Sequence, residues 1–375
     1  MDVIVIGAGI GGLTAANALA RDGYQVRLFE RSAGFEPVGA GLVLAANAVR
    51  VLESLGVSLD GEAQQLRSME VRDKTGDLLS ALSTSHLATQ HGPSYGISRA
   101  RAHQLLSQAL PREVEVTFNA AVETVSEVRG RVWVSTPGGE YAADAVVAAD
   151  GIRSSVRAQL PTGPGRLRYS GTTCWRGMLD LDAGDIATEA WGGRTRVGVV
   201  PIEDGRAYYY LVADAPAGQP GPTTMTEFAA LFEGFGGVAG DLVSRLDTVP
   251  PLHHDLFELD RPIWGSGRVL LLGDAAHSMT PNQGQGAVMA IEDAKAAMLA
   301  LRPGVEGALQ RYQEMRARRV RKVQLDSRRI GQVAHWHNPL AVAVRNAAMR
   351  LTPASSGDRM LTSLVAPGVA LAVTR

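Results

Sequence analysis

The stretch that decides the fold is Val3-Ile4-Val5-Ile6-Gly7-Ala8-Gly9-Ile10-Gly11-Gly12, near the start of the chain. Its four leading apolar residues predict a parallel strand that is buried on both faces. Gly7, Gly9 and Gly12 then form a G-x-G-x-x-G pattern that opens a predicted helix. A second predicted strand follows over residues 25–29. Together these segments form one βαβ unit.

This unit predicts a dinucleotide-binding site. The first glycine allows the tight turn, the second lets the backbone approach a pyrophosphate, and the third permits close packing of the helix. The helix N-terminus offers free N–H groups and a positive dipole to the phosphates. Glu30, at the end of the second strand, is placed to bind both hydroxyls of an adenosine ribose. This acid favours FAD or NAD over NADP, and the unit alone leaves that choice open.

Size and composition limit the classes of function. The 375 residues exceed the usual size of one hydrophobic core, so we expect two domains. A net charge of -1 argues against nucleic acid or an anionic membrane as the main partner, since both select a basic surface. The 5% of aromatic residues gives little support for base-stacking platforms. The single cysteine, Cys174, excludes an internal disulfide and a multi-cysteine metal site, and we expect no metal. With no secretory signal, and with Pro367 interrupting the short apolar stretch 361–373, we expect a soluble cytoplasmic protein.

The order of predicted elements gives an α/β fold in three parts. A Rossmann-like cofactor-binding domain is followed by an inserted antiparallel-sheet substrate domain, because strand-like segments separated by Gly, Pro and Asp turns recur after about residue 165. C-terminal helices complete the chain, and the basic helix over 311–329 is expected to present a solvated face. The predicted boundaries are 1–72, 96–165 and 260–330 for the first domain, 73–95 and 166–259 for the second, and 331–375 for the C-terminal segment.

Two later motifs decide between FAD and NAD. Residues 150–157 fit D-G-x-x-S-x-x-R, and Gly273-Asp274-Ala275-Ala276-His277 follows a predicted buried strand. Pro281 and Gly284-Gln285-Gly286 come next. With three motifs in this order, the sequence resembles the class A flavoprotein monooxygenases, the aromatic-hydroxylase family that includes the salicylate and urate hydroxylases. The resemblance runs from Val3 to about Tyr312.

The resemblance implies bound FAD and assigns its contacts residue by residue. It implies that Arg99 reaches the ribityl or pyrophosphate region of the flavin and that Asp274 hydrogen-bonds the ribityl chain. Asp150 is implied to belong to a motif linked to both FAD and NAD(P)H contact. Pro281 and the turn after it are implied to pack against the isoalloxazine ring, whereas His277 is treated as structural. The implied cofactor-binding residues are Gly7, Gly9, Gly12, Glu30, Arg31, Arg99, Asp150, Gly273, Asp274, Pro281, Gly284, Gly286 and Ala287.

The same resemblance implies the activity. FAD is reduced by NADH or NADPH that binds transiently, reacts with O2 to a flavin C4a-hydroperoxide, and hydroxylates an aromatic or other electron-rich small molecule. We expect the substrate between the middle sheet and the flavin, with Arg176, Tyr208 and Tyr210 as candidate catalytic residues and Arg196 as a further candidate. Tyr208 and Tyr210 share one face of their strand. A cation at Arg176 would hold an anionic aromatic substrate and lower its pKa.

Several alternatives stay open. Each tyrosine could simply pack at the sheet. An epoxidase or Baeyer–Villiger-type tailoring oxygenase of the same fold is also open, because the middle sheet carries no signature of the substrate. An NAD-dependent dehydrogenase would leave the motif at Asp274 without a role, and the five tryptophans lack the W-x-W-x-I-P pattern of a flavin-dependent halogenase. A non-catalytic flavin-binding protein is a further class, although no motif is missing. The expected partners are a small aromatic substrate and O2, with the chain a monomer or a homodimer.

Overall fold

A mostly parallel sheet carries the glycine motif at the carboxyl ends of its strands. The computed structural model describes residues 1–35, 39–250 and 252–374. The sheet consists of β1 (Asp2–Ile6), β2 (Gln25–Phe29), β8 (Glu115–Thr117), β12 (Ala145–Ala148), β18 (Gly265–Ser266) and β19 (Val269–Leu271). Their spatial order is β18-β19-β12-β1-β2-β8, and all neighbours are parallel except β18 and β19. β1 and β12 are buried almost throughout, as their unbroken apolar sequences predict.

Helices and two small sheets cover this parallel sheet. One core forms where apolar residues of the strands meet α1 and α9, including Leu13, Leu28, Val147 and Ile291. The helices of this region are α1 (Ile10–Arg21), α2 (Ala46–Ser54), α3 (Thr84–His91), α4 (Arg99–Gln108), α5 (Ser155–Gln159), α8 (Asp274–His277) and α9 (Gly286–Leu301). The small sheets are β3-β7-β4 (Gly41–Leu44, Ser94–Ser98, Gln64–Leu66) and β11-β10-β9 (Gly139–Ala143, Arg131–Thr136, Thr124–Val128).

A seven-stranded sheet forms the second layer of the molecule. Its strands are β5 (Ser68–Asp73), β6 (Leu78–Ser83), β13 (Leu167–Leu179), β14 (Ile186–Trp191), β15 (Thr195–Ile202), β16 (Arg206–Asp214) and β17 (Leu252–Leu259). Their order is β17-β13-β16-β15-β14-β5-β6, with only β14 and β5 parallel. The sheet therefore begins at Ser68, five residues before the boundary expected from the sequence, because β5 pairs with β14.

The two faces of the seven-stranded sheet have different neighbours. Trp175 and Tyr209 pack in a core with Phe228 and Phe232, from the segment of α6 (Met225–Leu231) and α7 (Gly237–Arg245). The opposite face carries Tyr208, whose ring lies so close to Gly41 of β3 that a Cβ there would fall 2.4 Å from it. The alternation of the three tyrosines expected along β16 is thus observed.

Three helices end the chain, α10 (Ala308–Ala334), α11 (Pro339–Leu351) and α12 (Ala354–Val373). The expected solvated face of α10 is only partly right, because Arg316 is 1% exposed and contacts Glu292 and Asp293 of α9. Burial of the Arg316 guanidinium is possible here because two carboxylates balance its positive charge. No helix of the described residues is long and apolar enough to cross a membrane.

Candidate cofactor and substrate site

The sequence motifs meet at the carboxyl edge of the parallel sheet. Glu30, Gly7, Asp150 and Gly273 follow β2, β1, β12 and β19, which are neighbours in that order. Strands in a sheet are about 4.8 Å apart, so the four positions span roughly 14 Å. Ligands of open α/β sheets bind in the crevice outside the carboxyl ends of the strands. The carboxyl edge therefore brings the four positions into one row, and we call the space outside this row the groove.

The glycine turn between β1 and α1 has three different local geometries. Gly7 has a φ of +94°, which side chains rarely allow. A Cβ at Gly12 would lie 1.8 Å from the Gly7 carbonyl oxygen, so the helix contacts the turn at this point. At Gly9, by contrast, no atom of the described residues lies within 4 Å of the same ideal Cβ. The turn is closed at Gly12 and open at Gly9, where a pyrophosphate could approach.

Glu30 is held against this turn by two backbone amides. Its Oε2 accepts a hydrogen bond from the Ala8 N–H at 2.6 Å, and its Oε1 accepts one from the Ser32 N–H at 2.9 Å. These bonds fix the carboxylate beside the turn and leave further lone pairs for ribose hydroxyls. Arg31, directly after it, is exposed.

The second and third motifs are joined by Arg157, which is 3% exposed. Its guanidinium donates to the carbonyl oxygens of Ile152 and Ala275 at 2.6 and 2.7 Å. Asp150 accepts from the Val156 N–H through Oδ2 at 3.1 Å, whereas its buried Oδ1 has no hydrogen-bond partner in the described residues. A buried acceptor without a partner marks a place for a ligand donor or a water molecule.

The turn at Gly273 rests on a buried ion cluster. Gly273 has a φ of +58°, and its N–H donates to Asp293 Oδ2 at 3.0 Å. The same carboxylate accepts from Arg316 Nε at 2.7 Å and lies 2.5 Å from His277 Nε2. His277 thus has a structural contact, as expected from the sequence. Asp274, the next residue after the turn, is exposed toward the groove.

The loop between α8 and α9 ends the groove. Gly284 has a φ of +63°, and a Cβ at Gly286 would meet no atom of the described residues within 4 Å. The buried Oε1 of Gln283 has no partner in those residues. The first amides of α9, at Gly286 and Ala287, are free at the helix N-terminus and can face a negative charge. Pro281 begins this loop.

Two arginines and a tyrosine lie near one another beside β3. Arg99 lies against Gly39 and Tyr208 against Gly41, and Arg176 is on the same face of the seven-stranded sheet as Tyr208. Burial lowers the pKa of the Arg99 guanidinium, and the Asp274 carboxylate raises it in part. Burial also lowers the pKa of Arg176, but Cys174, Tyr208 and Asp274 outweigh it, so the net shift is upward. Burial raises the pKa of Tyr208 to about 12, against the opposing effect of Arg176. Tyr208 therefore keeps its proton at neutral pH, and both arginines keep their charge.

The groove fits FAD. It combines an open backbone approach at Gly9, a carboxylate at Glu30, an unpartnered buried oxygen at Asp150 and free helix amides at Gly286. These groups match a pyrophosphate, a ribose, a polyhydroxyl chain and the electron-rich edge of a flavin, respectively.

Comparison with known proteins agrees with this fit. Residues 1–327 match the family described as FAD binding domain. Aurachin C monooxygenase/isomerase from Stigmatella aurantiaca is 37% identical over 96% of both chains. 2-Heptyl-3-hydroxy-4(1H)-quinolone synthase from Pseudomonas aeruginosa is 34% identical over 96% of both chains. The structure of Klebsiella pneumoniae HpxO with FAD and uric acid superposes with a TM-score of 0.87 at 28% identity, covering 99% of this chain and 97% of that one.

The chain belongs to the class A flavoprotein monooxygenases. A salicylate hydroxylase substrate complex also matches, with a TM-score of 0.81 at 26% identity, covering 100% of this chain and 98% of that one. The family and the FAD cofactor expected from the sequence are confirmed, and the protein is an FAD-dependent monooxygenase.

In this flavoprotein monooxygenase, Tyr210 does not offer a free hydroxyl. Its O–H donates to Glu189 Oε2 at 2.5 Å, and burial followed by Glu189 raises the pKa of Tyr210 well above its usual value. Glu189 also accepts from Arg196 Nη1 at 3.0 Å, and Arg196 Nη2 donates to Asn282 Oδ1 at 2.8 Å. A continuous chain of hydrogen bonds therefore links the sheet to the loop that begins at Pro281.

The sequence does not reveal two members of this hydrogen-bonded chain, Glu189 and His335. His335 accepts from Arg196 Nε at 2.8 Å through Nε2, which leaves its Nδ1–H to donate to Asp214 Oδ1 at 2.5 Å. Neither residue lies in a motif, and His335 is 139 positions from its arginine partner. Asn282 could have been found, because it lies inside the loop that the resemblance already marks.

Proposed function

We propose that this monooxygenase hydroxylates a fused nitrogen heterocycle of the 4-quinolone type, using NADH or NADPH and O2. The support is twofold. One relative, identical at 34% over 96% of both chains, is a 2-heptyl-3-hydroxy-4(1H)-quinolone synthase, and another, identical at 31%, is a urate hydroxylase from Mycolicibacterium vanbaalenii. Quinolones and urate are both planar fused heterocycles with carbonyl groups and ionisable ring N–H groups.

When bound, FAD supplies the redox and oxygen chemistry that no side chain of the protein provides. The residues that would hold it are those of the carboxyl edge, with Glu30 toward the ribose, Gly9 toward the pyrophosphate, and Asp150 and Asp274 toward the polyhydroxyl chain. The first amides of α9 would stabilise negative charge on the ring without reorganising. These assignments rest on position, hydrogen-bonding capacity and the two unpartnered buried oxygens at Asp150 and Gln283.

The substrate-side roles follow from charge and proton state. Arg176 would attract the deprotonated, more nucleophilic form of the heterocycle and so lower its pKa. Tyr208, with a pKa of about 12, would donate a hydrogen bond to a ring carbonyl. Tyr210 would act as a positioning residue, because its hydroxyl is already bound to Glu189. The single observation that carries the proposal is that Arg176, Tyr208 and Tyr210 lie on one face of the paired strands β13 and β16, where Arg176 is opposite Tyr210.

The test is substrate-stimulated oxidation of NADH and NADPH by the purified flavoprotein. 2-Alkyl-4-quinolones, purines, salicylates and aminobenzoates would be compared, with 18O2 labelling of the product to separate hydroxylation from peroxide release. We expect the quinolones to give the highest kcat/KM and one labelled oxygen atom in the product. A clear preference for single-ring benzoates would overturn the substrate class. Peroxide accounting for all reductant consumed with every compound would overturn hydroxylation itself.

A further inference from the structure

A cavity lies outside the groove, on the far side of the hydrogen-bonded chain of Arg196, Asn282 and His335. It has a volume of about 500 Å³ and lies where the first residues of β13 and β15 and the last residues of β16 meet the end of α10. Ligand pockets commonly have volumes of about 300–1,000 Å³, so the cavity is large enough for part of a nucleotide. We call it the arginine pocket, after Arg168, Arg194, Arg196 and Arg328 in its wall.

The arginine pocket carries a surplus of positive charge. Its four arginines have three carboxylates nearby, because Asp214 and Glu258 lie in the wall and Glu189 contacts Arg196 from behind it. Arg194 is exposed at the rim, and its Nη2 contacts His337 at 3.1 Å rather than a carboxylate. Arg168 reaches Glu258 only at 3.5 Å, with 36% of its side chain exposed. Both guanidinium groups can therefore turn to an anion, and planar guanidinium groups bind phosphate oxygens in pairs.

The wall of the pocket also holds buried polar atoms without partners. Glu258 is 0% exposed, and its Oε1 accepts from Arg328 Nε at 2.7 Å. Its Oε2 and the Nη2 of Arg328 have no hydrogen-bond partner in the described residues. Both atoms are closed off from solvent, so this arginine–carboxylate pair belongs to the wall of the pocket and fixes the position of Arg328 there.

The pocket adjoins the flavin loop. Thr280 and Asn282, on either side of Pro281, line it, and Arg196 crosses between pocket and loop through its 2.8 Å bond to Asn282. An occupant of this pocket would thus lie next to the loop proposed to pack against the isoalloxazine. The chain has no second G-x-G-x-x-G pattern after a strand that could bind another dinucleotide.

We propose that the arginine pocket binds the ribose-diphosphate part of the nicotinamide dinucleotide that reduces the flavin. The inference rests on the proposed function only in requiring a nicotinamide reductant. Arg168 and Arg194 hold the diphosphate. The bound reductant is thereby held at the flavin loop without a Rossmann domain of its own.

The experiment uses the FAD-loaded full chain and the double variant Arg168→Gln/Arg194→Gln. The Kd for NADH and for NADPH is taken from the dependence of the anaerobic flavin-reduction rate on reductant concentration, without aromatic substrate. NAD+ binding is measured by calorimetry. The double variant should weaken binding of the preferred nucleotide at least tenfold, because two charge-assisted contacts are lost. Reduction by dithionite and FAD content should not change. Arg168→Lys/Arg194→Lys should recover part of the affinity.

Arg27→Gln is the matched control. Arg27 has 38% of its side chain exposed and pairs with Glu115 at 3.1 Å, much as Arg168 is 36% exposed beside Glu258, but it lies on β2. It should bind the nucleotide like the wild type. An unchanged Kd in the double variant would overturn the proposal. Steady-state KM is also measured for whichever aromatic compound the enzyme turns over, and a raised KM with an unchanged Kd for the nucleotide would overturn the proposal and assign the pocket to that substrate. Both results are independent of whether quinolones are hydroxylated.

Discussion

An added methyl group should have different effects at two glycines of the first motif. At Gly12 it should lower the stability of the FAD-free protein, and at Gly9 it should weaken FAD binding. In Gly12→Ala, the new Cβ would lie 1.8 Å from the Gly7 carbonyl oxygen, whereas an ordinary contact is at least 3.4 Å. The helix and the turn would have to separate by roughly 1.5 Å, since neither atom belongs to a flexible side chain. Overpacking of this kind costs about 3 kcal/mol and lowers the Tm of the FAD-free protein by roughly 5 °C.

Gly9→Ala should leave the FAD-free protein as stable as the wild type. The new Cβ meets no atom of the described residues within 4 Å, and the φ of -72° and ψ of -178° at Gly9 suit alanine. The methyl group would instead occupy the space through which a pyrophosphate approaches the turn. We therefore expect FAD affinity to fall at least tenfold in this variant.

The assay separates stability from binding. Thermal unfolding of both FAD-free variants is followed by circular dichroism, and FAD is then titrated with flavin fluorescence as the signal. The reasoning is refuted if Gly9→Ala binds FAD as the wild type does, since the pyrophosphate would then lie elsewhere. It is equally refuted if Gly12→Ala is as stable as the wild type without FAD.

Asp274→Ala should lower FAD occupancy at least tenfold with little change in FAD-free stability, because the residue is exposed; a full flavin-to-protein absorbance ratio would contradict its assignment. Arg176→Gln should raise the KM for the aromatic substrate roughly tenfold without slowing flavin reduction in its absence, and an unchanged KM would exclude this role. Burial raises the pKa of Asp293, but His277 and Arg316 outweigh it, so the pKa lies at about 2 instead of 3.8. As the pH falls, Asp293 is protonated in the unfolded chain before it is protonated in the folded protein. About 2 kcal/mol of stability should thus be lost between about pH 4 and pH 2. Urea unfolding should show a smaller loss over that range in Asp293→Asn, and equal losses in both proteins would disprove the shift.

The cofactor groove could be predicted because each of its parts is local in sequence. Gly7, Asp150 and Gly273 all lie just after short apolar segments that form buried parallel strands. The carboxyl ends of parallel strands meet at one edge of the sheet. The convergence of the motifs could therefore be predicted without knowledge of longer-range packing. The acidic residue after β2 follows by the same rule.

The parts that could not be predicted depend on contacts between distant segments. The hairpin of β5 and β6 has a recognisable turn, but its place in the seven-stranded sheet depends on β14, more than a hundred residues later. Arg316 lies in a basic helix whose pattern indicates a solvated face, and only the carboxylates of Glu292 and Asp293 explain its burial. Arg196 and Asn282 are 86 positions apart, and nothing in either local pattern indicates their pairing.

Loss of flavin from a variant does not by itself identify a cofactor contact in this protein. The turn at Gly273 is held from one side by Asp293 and from the other by Arg157, which bonds to the Ala275 carbonyl. Removing one partner of a buried ion pair costs about 3–5 kcal/mol, whereas a single hydrogen bond contributes about 1 kcal/mol. Arg316→Met should therefore lower FAD-free stability and FAD affinity together. Only a residue whose loss lowers FAD affinity alone, as we expect for Asp274, can be placed against the cofactor.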